Sequence, residues 1–190
     1  MSHTTFPSTL PIPQDDGACS HLAGSVIPSV SLPSTSGTAV DLSTLPGRTI
    51  LFCYPRTGAP GEAITDDWNA IPGARGCTPQ ACSFRDETQK LYRLGVQHLY
   101  GLSTQDTAYQ QEAKERLHLP FDLLSDEKLG LVDALKLPLF EWHGQRLVKR
   151  LALAIRDGRV EQVWYPVFPP DKNAADVVTR LESKQEQPPS

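Results

Sequence analysis

Only four cysteines occur in the 190 residues, and no lysine or arginine precedes Arg48. No stretch approaches the roughly 18 consecutive apolar residues of a membrane-spanning helix, so no membrane partner is expected. A secretory signal needs a basic start and an apolar core, and a mitochondrial presequence needs arginines. The N-terminal region instead carries Asp15 and Asp16, which leaves the cytoplasm as the expected compartment. Lys and Arg total 18 against 22 Asp and Glu, a net charge of −4 with no dense basic run, which argues against nucleic-acid binding. The cysteines at 53, 77 and 82, and Cys19 far upstream, are too irregularly spaced for a secreted disulfide scaffold. They also lack a C-x-x-C pair, and His98, His118 and His143 supply no zinc-like spacing. A G-x-S-x-G elbow and internal repeats are absent as well.

The composition that remains, 39% hydrophobic and 21% charged, suits one globular domain with extensions. Residues 1–26 are rich in Ser, Thr and Pro and read as a loosely ordered extension, on which Phe6, Leu10 and Ile12 are the groups able to pack. A domain is expected over 27–183, followed by a polar tail at 184–190. Short strand-like runs at 29–34 and 38–43 precede "RTILFCYP" at 48–55, a continuous apolar run typical of a buried central strand. Cys53 within it reads as a small core hydrophobe. Residues 56–76 are broken by glycines and prolines, and a helix is expected over 78–94 with Pro79 in its first turn. A strand at 96–103, an amphipathic helix at 106–119 and a short helix at 129–135 follow. "VKRLALAIRDGRVEQVWY" at 148–165 reads as a hairpin turning at 156–159. A final helix at 171–183 has an Asp as N-cap and an apolar stripe at Ala174, Val177, Val178 and Leu181. Alternating strands and helices followed by a late hairpin imply an α/β fold, a central mixed β-sheet flanked by helices.

The chemistry concentrates at "GCTPQACSFRD", residues 76–86. A thiol reacts as its thiolate, and unpaired N–H groups at a helix start favour that anion. Cys77 stands at the expected helix start; Cys82 lies one to two turns further in, so the two thiols should differ in reactivity. Five residues of helix separate Cα atoms by about 8–9 Å, whereas a disulfide wants less than about 7 Å. A resting bridge is therefore disfavoured, while one formed by local unwinding fits a redox site with a reactive and a resolving thiol. Two core cysteines on one helix is the plainer alternative.

"FCYP" followed by "GCTPQACSFRD" resembles the peroxiredoxins, in particular the Q-type (bacterioferritin-comigratory) group, and the likeness spans about residues 26–182. The resemblance implies a thioredoxin-like fold with Cys77 as peroxidatic thiolate and Cys82 as resolving thiol. It assigns to Arg150, in "VKRLALAIRDGRV", the stabilisation of thiolate and peroxide. It implies reduction of hydrogen peroxide, extending to organic hydroperoxides, through a Cys77 sulfenic acid and a Cys77–Cys82 disulfide. Thioredoxin or a glutaredoxin-like dithiol would recycle it, with no cofactor or metal, in a monomer or homodimer. In the family a threonine stands three residues before the reactive cysteine, but here Ala74 does. Twenty-one residues lie between Pro55 and Cys77, an insertion that splits the motif. Thr57 is the expected replacement donor, with Thr65 or a backbone N–H as alternatives. Trp68 and Ile64 in the insertion are expected either to shape a lid or an interface or only to pin the loop to the domain, and Trp142 before Arg150 either to line the peroxide entrance or to pack in the core or an interface. The rival reading is a thioredoxin-like binding or redox-sensing module whose peroxidase activity is weak or lost.

Overall fold

The apolar run at 48–53 becomes β3 (Arg48–Cys53), buried at every position, and the other layers are laid against its two faces. The computed structural model describes residues 9–185. In chain order the remaining elements are β1 (Leu32–Pro33), β2 (Ala39–Val40), α1 (Asp66–Asn69), α2 (Cys77–Arg93), β4 (Val96–Ser103), α3 (Thr107–Leu117) and β5 (Asp122–Ser125). They continue with α4 (Gly130–Leu135), β6 (Leu139–Trp142), β7 (Gln145–Val148), β8 (Leu151–Arg156), β9 (Arg159–Trp164) and α5 (Asn173–Gln185). The main sheet has the order β5-β4-β3-β8-β9, with β3, β4 and β5 parallel and β8 and β9 antiparallel. This is the expected central mixed sheet.

Side chains alternate across a strand, so β3 feeds two cores. Ile50 and Phe52 face α2 and α5, joining Phe84, Leu91, Val177, Val178 and Leu181. Phe52 stacks on Phe84 at 4.4 Å between ring centroids, fixing α2 over the sheet. Leu51 and Cys53 face the other way, toward Leu22, Leu131, Val132 and Leu135. Cys53 is fully buried there, and burial pushes its thiol well above the ordinary range, as its reading as a core residue requires.

Several expectations need correction. Leu22 is fully buried and Cys19 is 6% exposed, so the part of the 1–26 stretch from Cys19 onward packs on the domain instead of forming a loose extension. Residues 24–27 bond along β9: Gly24 N–H donates to Val160 O (2.9 Å) and Val160 N–H to Ser25 O (2.9 Å). Apolar residues three apart, at 19 and 22, supply a buried face too short to stand out in a Ser/Pro-rich run. Ile12 is 61% exposed, and Phe6 lies outside the described residues. Within 56–76, α1 forms where only irregular chain is expected. A second hairpin, β6–β7, turns at His143 and Gly144, both at positive φ, a local signal that "HG" carries in the sequence. The last helix is entered through a 3₁₀ turn at Pro170–Lys172, so Asn173 rather than an Asp opens α5. That helix runs through Gln185, and the rest of the expected tail lies outside the described residues.

Truncating Leu22 tests the packing of the N-terminal segment. Leu22→Ala should cost about 2–5 kcal/mol in urea unfolding, the range for a buried leucine; a loss within about 0.5 kcal/mol is what a surface site would give.

Candidate active site

Gly76 adopts φ 110°, a left-handed conformation open to glycine, and turns the chain into α2 with Cys77 as its first residue. No side chain caps this end, so the first-turn N–H groups keep their partial positive charge for the sulfur. Cys77 is 4% exposed. The chain leaving β7 delivers Arg150, 3% exposed, immediately before β8. Its Nη2 donates to Cys77 Sγ at 3.2 Å and to the carbonyls of Ala74 (3.0 Å) and Arg75 (3.4 Å), while Nε reaches Gly73 O at 3.3 Å. One guanidinium thus shapes the strap 73–75 and presents an N–H to the sulfur.

Residues absent from the sequence reading complete this arrangement. Gln80, fully buried in the first turn of α2, accepts from Arg150 Nη1 through Oε1. Its Nε2 donates to Asn173 Oδ1 at 2.9 Å. A glutamine on the mostly apolar face that carries Phe84 and Leu91 is the available signal, but nothing in sequence brings Asn173 to it.

Ala74 shows why no hydroxyl stands three residues before Cys77. It is fully buried with Trp68 and Leu147, where a hydroxyl would meet apolar carbon, and its carbonyl instead receives Arg150 Nη2 and Cys77 Sγ (3.6 Å). Thr57, 2% exposed, lines the same cavity as Cys77. Gln105 brackets its backbone: Oε1 accepts Thr57 N–H at 3.1 Å and Nε2 donates to Thr57 O at 3.2 Å. Among the described residues the Thr57 hydroxyl makes one long contact, 3.4 Å to Gln105 Oε1, which leaves it able to turn toward a ligand.

The insertion forms the opposite wall. Trp68 packs edge-on to Trp142 at 5.0 Å, and the Arg56 guanidinium sits 5.0 Å from the Trp142 ring. Asp67 accepts from Trp142 Nε1 at 2.9 Å and pairs with His143 Nε2 at 2.7 Å; hydrogen bonds from the Thr65 side chain first, then His143 and Trp142, hold its carboxyl well below the usual carboxylate range. Arg56 in turn donates to Glu62 at 2.8 Å. The insertion therefore both pins its loop and lines the entrance; Ile64, Thr65, Trp68 and Trp142 all border the cavity. Its volume of about 70 Å³ exceeds several times the roughly 10–15 Å³ that one water needs.

Cys82 lies half-buried on the same unbroken helix, and all four cysteines are free thiols. Burial raises its thiol above the ordinary 9.0, with Asp86 adding to the rise and Arg85 and Arg116 opposing it. Arg85 itself pairs with Asp86 at 2.8 Å, as a surface arginine there would. The two sulfurs thus have different surroundings: one faces a guanidinium at a helix start, the other an apolar helix flank.

No helix among the described residues is long and apolar enough to cross a membrane. Residues 22–179 match the Redoxin family. Putative peroxiredoxin bcp of Coxiella burnetii is 31% identical over 166 residues, covering 83% of this chain and 97% of its own. Peroxiredoxin Q, chloroplastic, of Oryza sativa subsp. japonica is 28% identical over 186 residues, covering 95% and 78%. The crystal structure of peroxidoxin BcpB from Mycobacterium tuberculosis superposes with TM-score 0.69 at 26% identity, over 86% of this chain and 98% of that one. A cysteine-to-serine mutant of Xylella fastidiosa PrxQ has TM-score 0.70 at 17% identity over 87% and 99%, a likeness of fold alone. With a thioredoxin-like mixed sheet and a cysteine at the start of its first long helix, the chain belongs to the redoxin family as a peroxiredoxin of the Q (bacterioferritin-comigratory) kind, a thiol peroxidase.

Proposed function

We propose that Cys77 is the peroxidatic thiolate, Cys82 its resolving partner, and Arg150 and Thr57 the groups that stabilise the reacting oxygens. The observation that carries this reading is the 3.2 Å bond from Arg150 Nη2 to Cys77 Sγ at the floor of a cavity that also holds Thr57. The sulfur attacks one oxygen of the hydroperoxide, an S–O bond forms and the O–O bond breaks. The departing alkoxide or hydroxide takes a proton and leaves as alcohol or water. In this reading Arg150, bonded to the sulfur, and the Thr57 hydroxyl, which lines the cavity, bear the charge that develops on the oxygens. The Cys82 thiolate then attacks the sulfenic sulfur; an S–S bond forms, the S–O bond breaks, and hydroxide leaves as water once protonated.

A thiol reductant closes the cycle, and thioredoxin or a glutaredoxin-like dithiol is the donor we assign, by thiol–disulfide exchange. The substrates assigned are hydrogen peroxide and organic hydroperoxides, reduced in the cytoplasm by a monomer or homodimer. Thr57 in the cavity favours this enzyme reading over a decayed, purely redox-sensing module, since it offers the hydroxyl that Ala74 lacks.

Intact mass after one equivalent of hydrogen peroxide should drop by two hydrogens, mapped to a 77–82 bridge, and Cys82→Ser should accumulate a sulfenic acid on Cys77. A Cys77 that reacts no faster than a free thiol would end the proposal. Thr57→Val should slow the peroxide step by roughly 10²-fold, the cost of removing one preorganised donor, read as stopped-flow loss of peroxide. Burial holds Cys82 above its ordinary 9.0, so the helical turn keeps that contribution below pH 9 and loses it as pH rises further. Bridge closure should therefore accelerate as pH rises toward and past 9; a rate flat in pH would show that Cys82 ionisation does not limit it.

A further inference from the structure

Peroxide chemistry needs a sulfur and a guanidinium, yet a polar chain continues beyond them into α5. Arginine has donors only, so the carboxamide oxygen of Gln80 must face Arg150 and its NH₂ must point away. That NH₂ is fully buried and needs an acceptor, which Asn173 Oδ1 provides at 2.9 Å. Asn173 is 1% exposed, and among the described residues its own Nδ2 has no hydrogen-bond partner. A buried unpaired amide N–H is destabilising, and an apolar residue of similar size would serve helix packing better. What Asn173 contributes is therefore the acceptor that orients Gln80.

The position of Gln80 gives that contact a second consequence. It lies between Cys77 and Cys82, inside the segment that must unwind before the two sulfurs can meet. Asn173 belongs to α5, whose Ala174, Val177, Val178 and Leu181 are anchored in the core. Unwinding the first turn of α2 removes Gln80 from both of its partners while Asn173 remains where it is.

We propose that Asn173 is a positioning residue of the peroxidase site: it holds Gln80, which aligns Arg150 on Cys77, and the Gln80–Asn173 bond is the clasp that opens before Cys82 reaches Cys77. The clasp half of this rests on the disulfide cycle proposed above; the positioning half does not. Loosening the bond has opposite effects on two steps. Cys77 loses a well-aligned guanidinium and reacts more slowly, whereas the turn unwinds more readily and the bridge closes faster. A residue that merely stabilised the fold would not divide the two rates in this way.

The test measures both rates in Asn173→Ala and in Asn173→Leu, the latter keeping the branched side-chain skeleton should the former fail to fold. Alkylation of Cys77 by iodoacetamide at neutral pH, followed by peptide mass, should slow by roughly 3- to 10-fold, the worth of one ordinary hydrogen bond. Bridge formation after one equivalent of hydrogen peroxide should quicken by a similar factor. In a Gln80→Ala background, Asn173→Ala should leave alkylation where Gln80→Ala alone puts it, because the effect runs through Gln80. Unchanged alkylation, additive single effects, or a bridge step that fails to quicken overturns the proposal. Alkylation involves no peroxide, so a protein that failed to turn over peroxide would still leave the positioning result readable by itself.

Discussion

A buried guanidinium that no carboxylate among the described residues pairs with is the constraint around which this site is built. Arg150 is 3% exposed, and among the described residues its hydrogen-bond partners are three carbonyls, the Gln80 carboxamide and the Cys77 sulfur. Burying a charge without compensation is expensive. Carbonyl and amide dipoles offset part of that cost, and of the five partners only the sulfur can carry a full negative charge. A carboxylate in its place would pair with Arg150 permanently and leave the sulfur without its donor. The same side chain fixes the strap 73–75, so the path of the loop and the environment of the thiol are one requirement.

The insertion makes sense in relation to that strap. The chain between Thr57 and Gly73 must leave the sheet and return to α2, and a long unsupported loop would present its glycines and prolines to solvent. Trp68, 9% exposed, gives it a small core of its own with Ala74 and Leu147, against which Phe140 and Trp142 pack. Asp67 then ties α1 to the β6–β7 turn through Trp142 and His143. Burying Ala74 in that core removes the position where a hydroxyl would ordinarily reach the sulfur. Thr57, at the other end of the insertion, lines the cavity with its backbone clamped by Gln105.

Local signals made much of this legible in the sequence. The run at 48–53 gave a strand because a strand buried on both faces has no polar alternation to hide it, and Pro79 with Gly76 marked the start of α2 to within a residue. Cys77 and Arg150 could be named through a motif, but their contact joins residues 73 positions apart, and no periodicity carries such a distance. Gln80 and Asn173 escaped for a related reason. Each reads alone as an ordinary polar helix residue, and their importance arises when α5 is laid across α2. The packing of the N-terminal segment is hard to read because Cys19 and Leu22 offer too few apolar positions to register, although the groove they fill is made by α4 and the sheet. The β6–β7 hairpin was missed for want of length, since four-residue strands barely alternate.

What makes the first turn of α2 a good place for a thiol also makes it ready to change shape. Its helix start has no side-chain cap, Pro79 lacks an N–H to contribute, and Gly76 holds a conformation with little side-chain support. Uncapped helix ends fray at small free-energy cost, whereas the turns beyond, with Phe84 stacked on Phe52 and Leu91 in the core, do not. The boundary between the two regimes falls within the stretch that separates Cys77 from Cys82. Its first residues are held by Arg150 and the Gln80 carboxamide together with the burial of Cys77 and Ala81. The start of α2 thus rests on one guanidinium and small buried side chains, whereas the turns beyond it rest on large ones.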